Sequence, residues 1–126
     1  MTTAVPRLGS IVLVCSDHAA LAGFYARLLD WPGAQVSIDA ASSWATLTAP
    51  GEPSSVLIEF QRVADYRQPS WPTQDVPQQL HLDLVVDDLP AAHDRAVELG
   101  AKHIESHPTF RVYLDPDGHP FCLCAC

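Results

Sequence analysis

The chain has 126 residues, of which 48% are hydrophobic and 17% are charged, so its composition is that of a globular protein and not of a disordered one. Its 15 acidic and 7 basic side chains give a formal net charge of −8, which disfavours phosphate backbones and anionic lipid surfaces as partners. No apolar run approaches the roughly 20 residues of a membrane span, and the first residues lack a secretory signal pattern. We therefore expect a soluble, cytoplasmic protein that binds neither nucleic acid nor membrane.

A pattern of strand, aspartate cap and helix occurs twice in the chain. In one copy, residues 81–86 alternate as a strand does, Asp88 suits a helix N-cap, Pro90 is tolerated in the first turn, and Gly100 suits a left-handed helix exit. In the other copy, Asp17 stands at the equivalent place between a strand and an amphipathic helix. Because further short strands follow each copy, the sequence predicts two β-α-β-β-β modules.

The elements of the first module are predicted as a strand at 8–15, a helix after Asp17, and strands near 34–39, 44–49 and 55–63. The helix carries one apolar stripe at helical period, formed by Leu21, Phe24, Tyr25, Leu28 and Leu29. Trp31-Pro32-Gly33 is predicted to end it.

Residues 64–79 contain three prolines and little periodicity, so they are predicted to connect the modules. In the second module, strands are expected at 101–105, at 110–115 and from Pro120 onward, after the turn Asp115-Pro116-Asp117-Gly118. The resulting boundaries are 5–63 for the first module, 64–79 for the connection and 80–126 for the second, all within a single domain of residues 1–126.

Strand alternation divides each predicted sheet into two faces. The face toward the helix is predicted to carry Ile11, Leu13, Cys15, Ala45, Leu47, Val56, Ile58, Phe60, Leu82, Leu84, Val86, Phe110, Val112, Leu114, Phe121 and Leu123. The opposite face is predicted to carry Ser10, Val12, Val14, Trp44, Thr46, Thr48, Leu57, Glu59, Gln61, His81, Asp83, Arg111, Tyr113, Cys122 and Cys124. A face that mixes aromatic, apolar and ionisable groups is either an exposed surface or the wall of a ligand cavity.

The sequence also supports predictions for the C-terminal cysteines and for four histidines. Cys122, Cys124 and Cys126 are neighbours on one face of one strand and are poorly placed to pair, which predicts reduced thiols. The remaining predicted surface histidines are interpreted as solvated, and they are His93, His103, His107 and His119.

Five segments resemble the vicinal oxygen chelate superfamily, which includes glyoxalase I, extradiol dioxygenases, and the fosfomycin- and bleomycin-resistance proteins. They are Asp17 with Phe24-Tyr25 and Leu28-Leu29, LIEFQRV at 57–63, HLDLVVDDL at 81–89, LGA at 99–101, and DPDGHPFCL at 115–123. The likeness is to a glyoxalase-like branch common in high-GC bacteria. It implies an α+β fold in which two β-α-β-β-β modules form a curved, partly open barrel around one cleft. It also implies that the protein is a homodimer.

The resemblance also implies metal-ligand positions, which in this chain are Ser10, Glu59, His81 and Cys122. Glu59 and His81 are ligand types that suit Zn, Ni, Mn or Fe, and Glu59 is also the candidate catalytic base. Ser10 departs from the usual His or Gln, and Cys122 departs from the usual Glu, so His81, Glu59 and Cys122 remain as candidate metal ligands. Without a metal, Glu59 would form an ion pair with Arg111 or Arg62, and His81 would be a hydrogen-bonded group of the cavity wall.

Two classes of function therefore stay open. The first is a protein that binds a small molecule in the cleft between the modules, with a degenerate metal site and without standard glyoxalase I activity. Its expected ligand contacts are Ser10, Trp44, Asp83, Arg111 and Tyr113. The second is a divalent-metal-dependent lyase, isomerase or dioxygenase that uses Glu59 and His81. A third and less favoured interpretation is that the polar face is a dimer interface.

Overall fold

The computed structural model describes residue 4, residue 6 and residues 8–49 and 57–125. The chain divides into two compact units, Met1–Val63 and Ala64–Cys126. Each unit contains one helix and one four-stranded mixed sheet, which confirms the α+β class and the two β-α-β-β-β modules. Within the described residues, no helix is long and apolar enough to cross a membrane.

The first unit contains β1 (Ser10–Cys15), α1 (His18–Leu29), β2 (Gln35–Asp39), β3 (Trp44–Thr48) and β4 (Leu57–Arg62). The strand order in its sheet is β1-β4-β3-β2, with β1 and β4 parallel and the other neighbours antiparallel. The strand predicted at 55–63 is observed from Leu57, and its first two positions lie outside the described residues.

The second unit contains β5 (Leu82–Val85), α2 (Leu89–Leu99), β6 (Lys102–Ser106), β7 (Phe110–Leu114) and β8 (Pro120–Cys124). Its strand order, β5-β8-β7-β6, repeats that of the first sheet. Here β5 and β8 are parallel, and the other neighbours are antiparallel. Residues 64–79 contain no helix or strand, and they belong to this unit. Tyr66 holds them there, because its hydroxyl donates to the carbonyl oxygen of Asp117 at 2.7 Å.

The repeated helix caps predicted from the sequence are present. One carboxylate oxygen of Asp17 accepts the backbone N–H of Ala20 at 3.0 Å, and Asp88 accepts that of Ala91 at the same distance. Each bond satisfies one of the backbone donors that the first turn of a helix leaves without a partner. Gly100 ends α2 in the left-handed conformation, as expected, with φ of 117°.

The end of α1 differs from the expected Trp31-Pro32-Gly33 stop. The helix ends at Leu29, before this tripeptide begins, and its left-handed cap is Asp30, with φ of 47°. Aspartate enters this conformation more readily than most side chains, because its short polar group can form local hydrogen bonds.

The predicted apolar stripe of α1 forms the core of the first unit. Leu21, Phe24, Tyr25 and Leu28 are buried. The ring of Tyr25 stacks on Phe60 of β4, with 5.9 Å between the ring centroids. Because full burial of a large apolar side chain contributes roughly 1.5–3 kcal/mol, these contacts fix α1 on one face of the sheet and leave the other face to the polar residues.

The predicted faces of β7 are wrong. Tyr113 pairs with Phe121 and stacks on it at 5.4 Å, and its hydroxyl lies 2.8 Å from Nδ1 of His93 on α2. Tyr113, and with it Arg111, therefore lies on the α2 side of the sheet, whereas Val112 pairs with Cys122 on the opposite side. The pattern failed because both faces of β7 contain large apolar groups, so hydrophobicity did not distinguish them.

Candidate functional site

The face of the first sheet that points away from α1 is the one predicted from strand alternation. Val12 of β1 pairs with Glu59 of β4, and Thr46 of β3 pairs with Glu59 from the other side. Gln61 of β4 pairs in the same way with Val14 of β1 on one side and with Trp44 of β3 on the other. Ser10, two positions before Val12, lies on this face as well. We call this surface the β-face of the first unit.

A hydrogen bond joins the two largest polar groups of this β-face. The indole Nε1 of Trp44 donates to Oε2 of Glu59 at 3.1 Å, and both side chains are half-buried. They are diagonal neighbours on adjacent antiparallel strands, a separation that long side chains can reach across. The partner of Glu59 is thus the indole of Trp44 and not the guanidinium of Arg62, which pairs in register with Cys15 on the α1 side.

Three potential ligand groups meet in the second unit, on the sheet face away from α2. Asp83 of β5 pairs directly with Cys122 of β8, and His81 precedes β5 by one residue. Nε2 of His81 lies 3.4 Å from Oδ1 of Asp83. The ligand atoms of the three residues all lie within 4.8 Å of one another. Strand alternation predicted that these three residues share a face, and the structure brings their ligand atoms together.

Exposure and charge differ sharply within this cluster. The side chains of His81 and Asp83 are 43% and 62% exposed, whereas Cys122 is only 8% exposed. Burial raises the pKa of the Cys122 thiol to about 11, and the negative charge of Asp83 adds to the shift. At neutral pH the thiol of the metal-free protein is therefore protonated. It is consequently a poor nucleophile, because the thiolate is the reactive form of cysteine.

With this geometry established, the comparisons with known proteins identify the family. Residues 10–124 match the family described as Glyoxalase-like domain. The chain belongs to this family. Among curated proteins, none matches its sequence.

Solved structures resemble this glyoxalase-like protein over almost its full length. TnmS3, an antibiotic binding protein from Streptomyces sp. CB03234, is 20% identical with a TM-score of 0.60, and the match covers 98% of each chain. The fosfomycin resistance protein FosX from Mesorhizobium loti is 13% identical with a TM-score of 0.68, over 97% of this chain and 93% of that one. A glyoxalase/bleomycin resistance protein/dioxygenase family enzyme from Burkholderia phytofirmans PsJN is 17% identical with a TM-score of 0.69, over 94% and 97%. These matches confirm the predicted α+β fold of two β-α-β-β-β modules, and together with the family match they confirm the resemblance to the vicinal oxygen chelate superfamily.

The four metal-ligand positions implied by the superfamily fit a hard divalent ion poorly in this glyoxalase-like protein. Ser10 offers only a hydroxyl, one oxygen of Glu59 already accepts the indole N–H of Trp44, and Cys122 offers sulfur where the superfamily has a carboxylate. Mn and Fe sites favour imidazole, carboxylate and water, and a thiolate selects softer ions instead. The donor atoms therefore argue against a standard glyoxalase metal centre made of these four residues.

Sequence reasoning missed the role of His93, which was interpreted as solvated. Its ring lies against Tyr113, a fully buried residue whose phenol pKa is raised by that burial. The helical spacing of the sequence could have indicated this contact, because Leu89, His93 and Ala96 fall at i, i+4 and i+7 on α2. Leu89 and Ala96 are the buried residues of that helix, so His93 lies on its buried side. Tyr113 is therefore a packing residue of the glyoxalase-like fold and not a wall of the polar face.

Glu105 is a second residue that the sequence did not identify. It pairs with Val112, so it lies on the same face as Cys122, and its charge helps to raise the pKa of that thiol. Its carboxylate is 3.0 Å from Nε2 of His107. The register shifts between His103 and Glu105, and such an irregularity reverses the alternation of side chains, which is why no simple pattern placed Glu105.

Proposed function

We propose that this glyoxalase-like protein binds a small organic molecule on the β-face of its first unit, has a degenerate metal site, and lacks standard glyoxalase I activity. The observation that supports the proposal is the hydrogen bond between Trp44 and Glu59 on a half-buried face. An indole ring offers an apolar surface for stacking, and the carboxylate beside it can accept a hydrogen bond from a ligand donor.

The charge of the β-face narrows the class of ligand. Glu59 carries a negative charge, Val12 and Val14 add partly exposed apolar surface, and the described residues of this face include no lysine or arginine. A phosphonate or polycarboxylate would find no cation to pair with there. We therefore expect an aromatic ligand that is neutral or carries a protonated amine, which would pair with Glu59.

Of the four other ligand contacts predicted from the sequence, two remain in the proposal and two are withdrawn. Ser10 remains a candidate contact on the β-face, and Asp83 remains one in the second unit. Tyr113 is withdrawn because it is fully buried, and Arg111 is withdrawn because it lies on the α2 side. The antibiotic-binding relative from Streptomyces supports binding of an organic molecule as the class of function.

We extend the proposal to assembly and location. A homodimer in the bacterial cytoplasm is consistent with the superfamily, and the cytoplasm is consistent with Cys15, Cys122 and Cys124 forming no disulfide. Sedimentation analysis of the untagged protein tests the dimer.

Binding is tested by a thermal-shift screen of aromatic antibiotics and aromatic amines, followed by calorimetry on each hit. We expect Trp44→Ala to weaken a hit by about 5- to 150-fold, since loss of one stacking aromatic removes about 1–3 kcal/mol. Glu59→Gln should weaken cationic hits more than neutral ones. Trp71→Phe is the matched control, because it changes a tryptophan outside the β-face and should leave affinity unchanged. Unchanged affinity in both Trp44→Ala and Glu59→Gln would refute the proposed site.

A second candidate function is a divalent-metal-dependent lyase, isomerase or dioxygenase that uses Glu59 and His81. The contact between His81 and Asp83 favours it, because a carboxylate commonly orients a metal-binding imidazole. The ion would supply polarisation of vicinal substrate oxygens, and Glu59 would move a proton. Turnover of hemithioacetals or catechols with added Zn, Ni, Mn or Fe(II), lost in Glu59→Gln, would establish this function.

A further inference from the structure

We propose that His81, Asp83 and Cys122 form a metal site contained within the second unit, which selects a soft divalent ion such as Zn²⁺ and does not use Glu59. The inference does not rest on the small-molecule proposal, because the contact that supports that proposal, between Trp44 and Glu59, belongs to the first unit. It departs from the ligand positions implied by the superfamily, which include Ser10 and Glu59 and do not include Asp83.

The backbone already places the three donors close to the spacing that a tetrahedral ion requires. Asp83 and Cys122 face each other across the parallel pair of β5 and β8, and His81 lies on the same side two residues before Asp83. In tetrahedral zinc coordination, ligand distances of about 2.0–2.3 Å put neighbouring donor atoms roughly 3.3–3.8 Å apart. The 3.4 Å between His81 Nε2 and Asp83 Oδ1 falls within that range, and all three donors lie within 4.8 Å of one another.

The difference in exposure suits ion entry and retention. The exposed side chains of His81 and Asp83 can rotate to close the remaining gap, whereas the buried Cys122 is held in place by the sheet. An ion would enter from the solvent side and bind against the thiolate. With three protein donors, a fourth position would remain for water, as it does in many zinc sites that are not purely structural.

The set of donor atoms determines the metal. One sulfur, one imidazole nitrogen and one carboxylate oxygen match Zn²⁺ and the similar ion Co²⁺, and they match Mn²⁺ and Mg²⁺ poorly. Binding replaces the thiol proton by the ion, which carries positive charge into a cluster that otherwise contains Asp83 and the nearby Glu105.

The test is titration of the chelator-treated, untagged protein with Zn²⁺ and Co²⁺. We expect one ion per chain, a rise in melting temperature, and a thiolate-to-Co²⁺ charge-transfer band in the near ultraviolet. His81→Ala and Asp83→Asn should weaken Zn²⁺ at least tenfold, and Cys122→Ser should abolish the charge-transfer band. Circular dichroism of the metal-free variants verifies that each one folds.

Two matched controls distinguish this site from other arrangements. Cys124→Ser changes a thiol two residues along the same face of β8 and should retain the band, and Glu59→Gln should bind Zn²⁺ as the unchanged protein does. Loss of Zn²⁺ in Glu59→Gln would overturn the proposal in favour of the superfamily arrangement. A band that persists in Cys122→Ser, or no binding of either ion, would overturn it as well.

Discussion

Replacement of Tyr113 by phenylalanine should lower the free energy of unfolding by about 1–2 kcal/mol without affecting ligand binding. Tyr113 is fully buried, and its hydroxyl lies 2.8 Å from Nδ1 of His93. Phenylalanine fills nearly the same volume and keeps the stack on Phe121, so no cavity forms. The free energy of unfolding falls by the net value of one hydrogen bond, about 0.5–1.5 kcal/mol. Part of the cost of leaving the half-buried imidazole nitrogen without this partner is added to it.

Urea denaturation, followed by fluorescence and by circular dichroism, measures this change, and coincident transitions justify a two-state analysis. His93→Ala should cost about 1–3 kcal/mol, because it removes the half-buried imidazole that contacts the buried hydroxyl of Tyr113. The double variant should cost less than the sum of the single ones, with a coupling energy near 1 kcal/mol. A neutral Tyr113→Phe with no coupling to His93 would refute the reasoning, and it would favour the sequence-based placement of Tyr113 on the opposite face.

Three further outcomes are expected. Asp17→Ala and Asp88→Ala should each lower the free energy of unfolding by about 1 kcal/mol in urea titrations, and the asparagine variants should retain most of it, because an amide oxygen also caps a helix. The raised pKa of Cys122 predicts stability that is fully present below pH 9, the ordinary value, and lost as pH rises through about 11, so Cys122→Ala should lose less stability between those values. Gly118→Ala should cost about 1–2 kcal/mol, since φ there is 84° and a Cβ would overlap a neighbouring side chain, whereas Gly9→Ala, with open space around it, should be nearly neutral. An equal effect of the two glycine substitutions would contradict this reasoning.

The elements that follow from local physics were predictable from the sequence. Asp17 and Asp88 identified both helix starts because an N-cap is a local hydrogen bond, and the stripe from Leu21 to Leu28 identified the buried side of α1. Turn residues and alternation placed the strands to within a few positions. None of these features depends on contacts between distant parts of the chain.

Features that depend on register between strands were not predictable. The Trp44 to Glu59 hydrogen bond requires the offset of β3 against β4, and alternation within each strand does not specify that offset. The two faces of β7 could not be told apart by hydrophobicity, and the irregular register of β6 concealed Glu105. For the candidate metal cluster, alternation placed His81, Asp83 and Cys122 on one face, but the closeness of Asp83 and Cys122 depends on the register of β5 against β8.

The parallel pairing of the first and last strands also has a consequence for folding kinetics. In each unit, the antiparallel neighbours β2 and β3, or β6 and β7, are close in sequence, whereas Ser10 pairs with Leu57 and Leu82 pairs with Phe121. Closing a long loop is entropically expensive, so contacts between distant segments generally slow folding. The hairpins can therefore form early, and the β5–β8 ladder closes late. Because Asp83 and Cys122 are brought together by that ladder, we expect the proposed metal cluster to assemble only in the last stage of folding.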